Sequence, residues 1–247
     1  MAQTMIPALE VVADPDALTA RAVERVLAAM EASPYGFRFG LCGGHTPEGL
    51  YRALARPPAE GRVPWERVIV FLGDERRVPD DDPRSNFGFV KRVFLDDVRL
   101  PMAGVLKPKA ALPDGDAAAA AYEKLLRREM GTTPVDFLLL GLGEDGHIAS
   151  IFPSSPALDE KDRWVMSVPA PTTVGPRVPR LTLTPVRILE AREVLVLVSG
   201  AGKAAAVARA LAAEGDERAC PARLLHRAGG KVTFLCDRAA AARIALA

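Results

Sequence analysis

The sequence predicts an α/β protein: a single-domain, three-layer Rossmann-like fold with a mostly parallel sheet and helices on both faces. Three observations carry this expectation. Short apolar runs rich in β-formers alternate with longer alanine-rich stretches of helical pattern. Two of the runs, VDFLLLGLG at 135–143 and EVLVLVSG at 193–200, are apolar nearly throughout, as in parallel strands buried on both faces. The 247 residues suffice for one large core, so 1–247 is taken as a single domain.

The elements follow in order. LEVVAD at 9–14 reads as the first strand and 16–30 as the helix after it. FRFGLCGG at 37–44 is a second strand, and PEGLYRAL opens the next helix with Pro47 in its first turn, where no N–H is needed. RVIVFLGDER at 67–76 reads as a third strand and NFGFVKRVFL at 86–95 as a helix. In DGDAAAAAYEKLLRREM at 114–130 acidic residues come early and arginines late, the charge order a helix dipole favours. After the strands at 135–143 and 193–200 come a helix at 201–213, the strand KVTFLCD at 231–237 and a short terminal helix. Residues 163–191 interrupt this rhythm. Their prolines and β-formers predict an extra strand or two and an ordered loop rather than a linker.

Composition excludes several classes of function. Hydrophobic residues at 49 % and charged residues at 26 % fit a soluble globular chain. With 32 basic against 31 acidic side chains the net charge is +1, so no bulk excess exists to hold nucleic acid, and an anionic ligand must be met by local chemistry. No apolar run approaches the roughly 18 residues of a membrane helix. The opening MAQTMIPALEVVADPDALTA lacks a basic segment followed by an apolar one, so a cytoplasmic protein is expected, with no membrane partner. Cys42, Cys220 and Cys236 form neither a disulfide framework nor a zinc spacing. None of the three histidines pairs at i,i+4, so no metal site is expected, and Asp80, Asp81 and Asp82 read as a solvated turn.

Polar punctuation falls at four strand ends: GGHTP, GDERR, GLGEDGH and SGAGK. In open α/β sheets ligands bind beyond the carboxyl ends of strands, so these four loops are expected to converge on one crevice. The third invites a cofactor reading, since Gly141, Gly143 and Gly146 spell GxGxxG. That motif needs a helix after the turn, and Pro153, seven residues after Gly146, leaves room for at most one or two turns. A P-loop needs lysine and a hydroxyl where His147 and Ile148 stand. Neither a dinucleotide loop nor a P-loop is therefore expected here. What remains is a loop presenting Glu144, Asp145 and His147 at a strand tip. His147 is either a general base, its tautomer fixed by Asp145, or a histidine that hydrogen-bonds the turn.

The other loops carry the same two-sided choice. Gly43 and Gly44 before His45 and Thr46 form either a phosphate-holding turn or a structural one. Arg76 belongs to a solvated ion-pair cluster or clamps a phosphate. Arg180 is a surface charge or a ligand contact. Lys203 falls in the first turn of a helix, where a cation is unfavourable unless an anion compensates it.

Taken together, GGHTPEGLY, FLGDERRVPDDDPRSNFG, LLLGLGEDGHIASIFP, PRLTLT and SGAGK resemble, in order, the 6-phosphogluconolactonases, within the wider group that includes glucosamine-6-phosphate deaminases. The resemblance covers most of the chain, from about residue 39 to 203. It implies hydrolysis of 6-phospho-D-glucono-1,5-lactone, a phosphorylated sugar lactone, in the oxidative pentose phosphate pathway, without metal or organic cofactor. Apart from the resemblance, a monomer is expected, with a dimer as the alternative. The resemblance implies His147 as the base that activates water and Asp145 as its companion. Gly43, Gly44, Thr46, Gly143, Arg76, Arg180 and Lys203 would contact phosphate or sugar, and Asp74 and Asn86 would shape the pocket. His45 departs from the serine or threonine usual after the paired glycines. Deaminase relatives continue the glycine–histidine block with phenylalanine, asparagine, glutamate and proline, whereas this chain continues ASIFP without that glutamate. Two alternatives stay in view: an amino-sugar phosphate deaminase or isomerase, and a non-catalytic sugar-phosphate-binding regulator.

Overall fold

Alternation decides the layering. In the computed structural model, which describes residues 5–33 and 35–244, seven strands form one parallel sheet. They are β1 (Ala8–Val12), β2 (Phe37–Leu41), β3 (Val68–Leu72), β5 (Val105–Leu106), β6 (Phe137–Gly141), β9 (Glu193–Val198) and β10 (Val232–Asp237), in spatial order β1-β10-β9-β6-β2-β3-β5. Successive side chains on a strand point to opposite faces. Phe137 and Leu139 therefore pack with α1 (Pro15–Glu31), α2 (Glu48–Leu54) and α3 (Asn86–Val90). Leu138 and Leu140 pack on the other face with α4 (Gly115–Met130) and α6 (Ala204–Leu211). Helices thus cover both faces, as the near-continuous apolar strands require.

A second, three-stranded antiparallel sheet lies on that other face: β4 (Asp74–Arg76), β8 (Arg180–Leu183) and β7 (Val165–Val168), in that order. The proline-rich interval supplies β7 and β8 with an ordered loop between them, as expected, and then α5 (Pro185–Leu189). The run at 67–76 departs from expectation. It is two strands in two sheets, divided at Gly73, whose N–H bonds to Leu41 O (2.9 Å) while its carbonyl accepts from Leu183 N (2.8 Å). An unbroken apolar pattern does not reveal such a change of partner.

Helix ends follow the local chemistry. Asp14 caps α1 through Ala17 N (2.9 Å), Asp114 caps α4 through Asp116 N (2.8 Å), and Ser85 caps α3 through Gly88 N (3.0 Å). The expected helix at 86–95 passes into a π turn over Lys91–Leu95. That at 201–213 begins as a 3₁₀ turn, Ala201–Lys203, so Lys203 stands just before α6. Residues 238–244 form turns instead of the expected terminal helix, and the last three residues lie outside the described ones.

The chain order places the crevice. From β2 the chain moves through β3 to β5 at one edge, and β6, on the opposite side of β2, leads on through β9 and β10 toward the other edge. The switch point is between β2 and β6, where only Phe39–Phe137 and Gly40–Leu138 are in register. Loops leaving the carboxyl ends of these two strands flank that opening. No helix among the described residues is long and apolar enough to cross a membrane.

Candidate active site

A cavity of about 500 Å³ opens at that switch point. All four polar strand tips reach it. Every residue expected at the site lines it except Asp145, which stands behind His147. The residues so gathered are Gly43, Gly44, His45, Thr46, Asp74, Arg76, Asn86, Gly143, His147, Arg180 and Lys203.

The loop after β2 is stapled by Tyr51 of α2, whose hydroxyl accepts from Cys42 N (3.0 Å) and donates to Cys42 O (2.7 Å). Gly43 then lies so close to Asn86 that a Cβ would overlap its side chain, and Gly44 takes a positive φ of 95°. His45 is exposed at the rim, with Thr46 beside it.

After β6 the chain turns back on itself: Gly146 N donates to Gly143 O and Gly143 N to His147 O, both at 2.9 Å. Gly146 has φ 89° and packs on Cys220, and its carbonyl accepts from Ala222 N (2.9 Å). This fixes His147. Its Nδ1 lies 2.5 Å from Asp145 Oδ1, which also accepts the His147 backbone N–H at 3.1 Å, and Phe152 packs on the ring at 4.7 Å between centroids. Burial pushes the Asp145 carboxyl up, but the His147 hydrogen bond, its charge and two backbone N–H donors outweigh burial and hold it below the usual 3.8. An ionised Asp145 keeps the imidazole proton on Nδ1 and leaves Nε2 with a free lone pair.

Facing the histidine loop is the small sheet. Arg76 and Arg180 are directly opposed across the antiparallel β4–β8 pair. Like charges in that register repel, and neither guanidinium makes an ion pair among the described residues, while Asp74 and Glu75 on β4 attract Arg180. Arg180 is 3 % exposed and gives Nε to Val178 O (3.1 Å) and Nη2 to Pro176 O (2.6 Å). Burial pulls its pKa down to about 10, Asp74 working against that and Arg76 adding to it. Arg76 Nη1 donates to Asn86 Oδ1, and Asn86 Nδ2 to Asp74 O (2.9 Å). The fourth tip is tied from beneath: buried Asp237 accepts Ser199 Oγ (2.6 Å) and Gly200 N (3.0 Å), which seats the turn carrying Lys203.

Several residues of the site escaped the sequence. Ser150 Oγ donates to Asp74 Oδ2 at 2.6 Å and its backbone N–H donates to Thr182 Oγ1 (3.1 Å), joining the histidine loop to both strands of the arginine pair. Ala149 lines the cavity with φ 46°, an unusual conformation for a residue with a Cβ. Val174 and Gly175 of the 169–179 loop close one side, and Thr173 reaches Asp145 Oδ2 at 3.4 Å. These contacts join residues far apart in sequence, so no local pattern announces them. Among the described residues no cluster of three or more His, Cys, Asp or Glu is arranged to hold a metal ion.

Known proteins repeat this chain closely. The family described as glucosamine-6-phosphate isomerases/6-phosphogluconolactonase matches residues 13–234. A 6-phosphogluconolactonase of Synechocystis sp. is 38 % identical over 246 residues, covering 95 % of this chain and 98 % of the relative. The structure of 6-phosphogluconolactonase from Trypanosoma cruzi superposes with a TM-score of 0.88 at 30 % identity over 100 % of both chains. A monomeric glucosamine-6-phosphate deaminase superposes with a TM-score of 0.82 at 26 % identity, covering 96 % of this chain and 99 % of that one. Alike in sequence and in fold over nearly its whole length, the chain belongs to the glucosamine-6-phosphate isomerase/6-phosphogluconolactonase family.

Proposed function

We propose that this chain hydrolyses 6-phospho-D-glucono-1,5-lactone to 6-phospho-D-gluconate, a step of the oxidative pentose phosphate pathway, with His147 as the base that activates water. The observation that carries the proposal is one cavity lined by His147, backed by Asp145, together with Arg76 and Arg180, which make no ion pair among the described residues. The histidine is a base with its tautomer set. The arginine pair is a site for a dianion and for sugar oxygens, with Lys203 and the Gly43–Thr46 turn lining the same cavity.

A lactone is an activated ester, so a positioned base and water suffice. His147 Nε2 removes a proton as water oxygen bonds to C1 and the carbonyl electrons move onto its oxygen. When the tetrahedral intermediate collapses, the C1–O5 bond breaks and the imidazolium returns its proton to O5. A cavity arginine or backbone N–H stabilises the oxyanion meanwhile. The released carboxylic acid ionises, so turnover acidifies the medium.

Of the alternatives, deamination requires carboxylates to shuttle protons during ring opening and at the amino group. Among the described residues Asp74 is the single carboxylate residue lining the cavity, and after His147 and Ile148 the chain continues ASIFP where deaminases carry glutamate. Both features favour the lactonase. We take residues 1–247 as one domain acting in the cytoplasm as a monomer. The test is proton release from freshly generated 6-phosphogluconolactone, corrected for spontaneous hydrolysis, beside ammonia release from glucosamine 6-phosphate. Acceleration of the first without the second is expected. Ammonia release alone would reverse the assignment.

A further inference from the structure

We propose that Glu75 is a positioning residue of the substrate site: its carboxylate fixes the backbone at 85–87 and, through Asn86, aligns Arg76 and Asp74 with the cavity. The inference rests on the lactonase reading of that cavity.

Glu75 lies between two cavity residues on β4, and strand alternation turns its side chain away from them. It is 2 % exposed and makes no ion pair among the described residues. Instead it gathers four donors. Oε1 accepts from Arg76 N (2.6 Å) and Asn86 N (2.7 Å), and Oε2 from Phe87 N (2.7 Å) and Ser85 Oγ (3.1 Å). Three of these come from the segment that starts α3, so one carboxylate fastens that helix end to the strand.

Asn86 shows what the fastening achieves. It is 1 % exposed, with its side chain filling the space that a Cβ on Gly43 would need. From there Nδ2 holds Asp74 O and Oδ1 takes Arg76 Nη1. Asn86 thus joins the glycine turn to the DER strand, and its place is set by a backbone N–H that ends on Glu75. A buried carboxylate that makes no ion pair costs stability even when hydrogen-bonded, and here Arg180 attracts it only from a distance. Burial pushes Glu75 up to about 7, against the pull of the Phe87, Asn86 and Arg76 amides. A glutamine would relieve that cost but offer one acceptor oxygen, and its NH₂ would confront amide donors. The costly residue is the one that satisfies the geometry.

The test compares wild type, Glu75→Gln, Asn86→Ala and the double variant at pH 8, where the carboxylate form predominates. Readouts are KM and kcat for the lactone, Kd for 6-phosphogluconate by calorimetry, and amide hydrogen exchange at 86 and 87. Losing hydrogen bonds to a charged acceptor is expected to raise KM and Kd about tenfold or more in Glu75→Gln, with kcat changing less. Exchange at 86 and 87 should rise about tenfold while α4 amides keep their rates. Because both residues act through one contact, the double variant should be no more than about twofold worse than the worse single. Multiplicative effects, or a KM and Kd within about twofold of wild type in Glu75→Gln, would overturn the proposal. If Glu75→Gln does not fold, Glu75→Asp keeps the charge and shortens the reach. It should raise KM severalfold, and an unchanged KM would count against Glu75. Wild type lacking lactonase activity would defeat the lactonase reading alone. Glu75 is then judged by exchange in its variants, where unchanged rates at 86 and 87 refute it.

Discussion

Asp145→Asn replaces a charge while nearly preserving the shape of the side chain. In the wild type Oδ1 lies 2.5 Å from His147 Nδ1 and also accepts the His147 backbone N–H at 3.1 Å. One oxygen takes both contacts, so an asparagine that keeps its oxygen there holds both donors with a neutral acceptor in place of a charged one. One that turns its NH₂ there confronts the backbone N–H and moves the imidazole proton to Nε2, and the lone pair that takes the proton from water is lost. Two magnitudes bound the effect. A hydrogen bond to a charged partner is worth about 1.5–3 kcal/mol, or roughly 10- to 150-fold in rate when it stabilises the developing imidazolium. Complete loss of a general base costs about 10²–10⁴-fold. We therefore expect kcat to fall on the order of 10²–10³-fold, with KM within about threefold because Asp145 does not line the cavity. The assay is proton release at saturating lactone, corrected for spontaneous hydrolysis, on a variant whose melting temperature matches wild type. A kcat within about fivefold of wild type would refute the pairing of Asp145 with a catalytic His147.

Three further outcomes follow from the geometry. Gly146→Ala forces a side chain into a φ of 89° and against Cys220, so stability should fall by about 2–5 kcal/mol, read as a lower urea midpoint. A midpoint within about 0.5 kcal/mol of wild type would contradict this. Lys203→Ala should raise KM about tenfold or more with a smaller change in kcat, since the lysine meets the cavity from the turn held by Asp237. An unchanged KM and kcat/KM would remove it from the phosphate site. Asp145 titrates below its ordinary 3.8, so its contribution to stability is fully present above that value and is lost as pH falls through the native one. Urea melts of Asp145→Asn should lose that part of the acid limb, and identical limbs would show that the carboxyl is not stabilised by folding.

Much of this was legible because it depends on local chemistry. Pro153 forbids a helix after Gly146, and the segment 148–153 indeed contains turns and an isolated bridge. Apolar runs gave the parallel strands, and the early acids and late arginines of 114–130 gave α4, which Asp114 caps. Four polar tips converge because the apolar strands before them, β2, β3, β6 and β9, lie in one parallel sheet, with Asp74 and Arg76 carried past the end of β3 onto β4. Gly73 was opaque: a glycine between two β-patterned runs reads as continuation, and only Leu41 and Leu183 show that it passes the chain between sheets. The two-residue β5 is too short for any period. Ser150 with Asp74, and Glu75 with residues 85–87, depend on side chains meeting across the fold. Lys203 was placed inside a helix, but the turn that carries it is set by Asp237, the last residue of β10.

The central claim is that His147 is the base for hydrolysis of a phosphorylated sugar lactone. Proton release from 6-phosphogluconolactone by wild type and by His147→Asn, with matched melting temperatures and product affinities, tests it most directly. We predict a wild-type rate far above spontaneous hydrolysis and a variant kcat lower by about 10²–10⁴-fold at similar KM. A variant that turns over at the wild-type rate would contradict the claim.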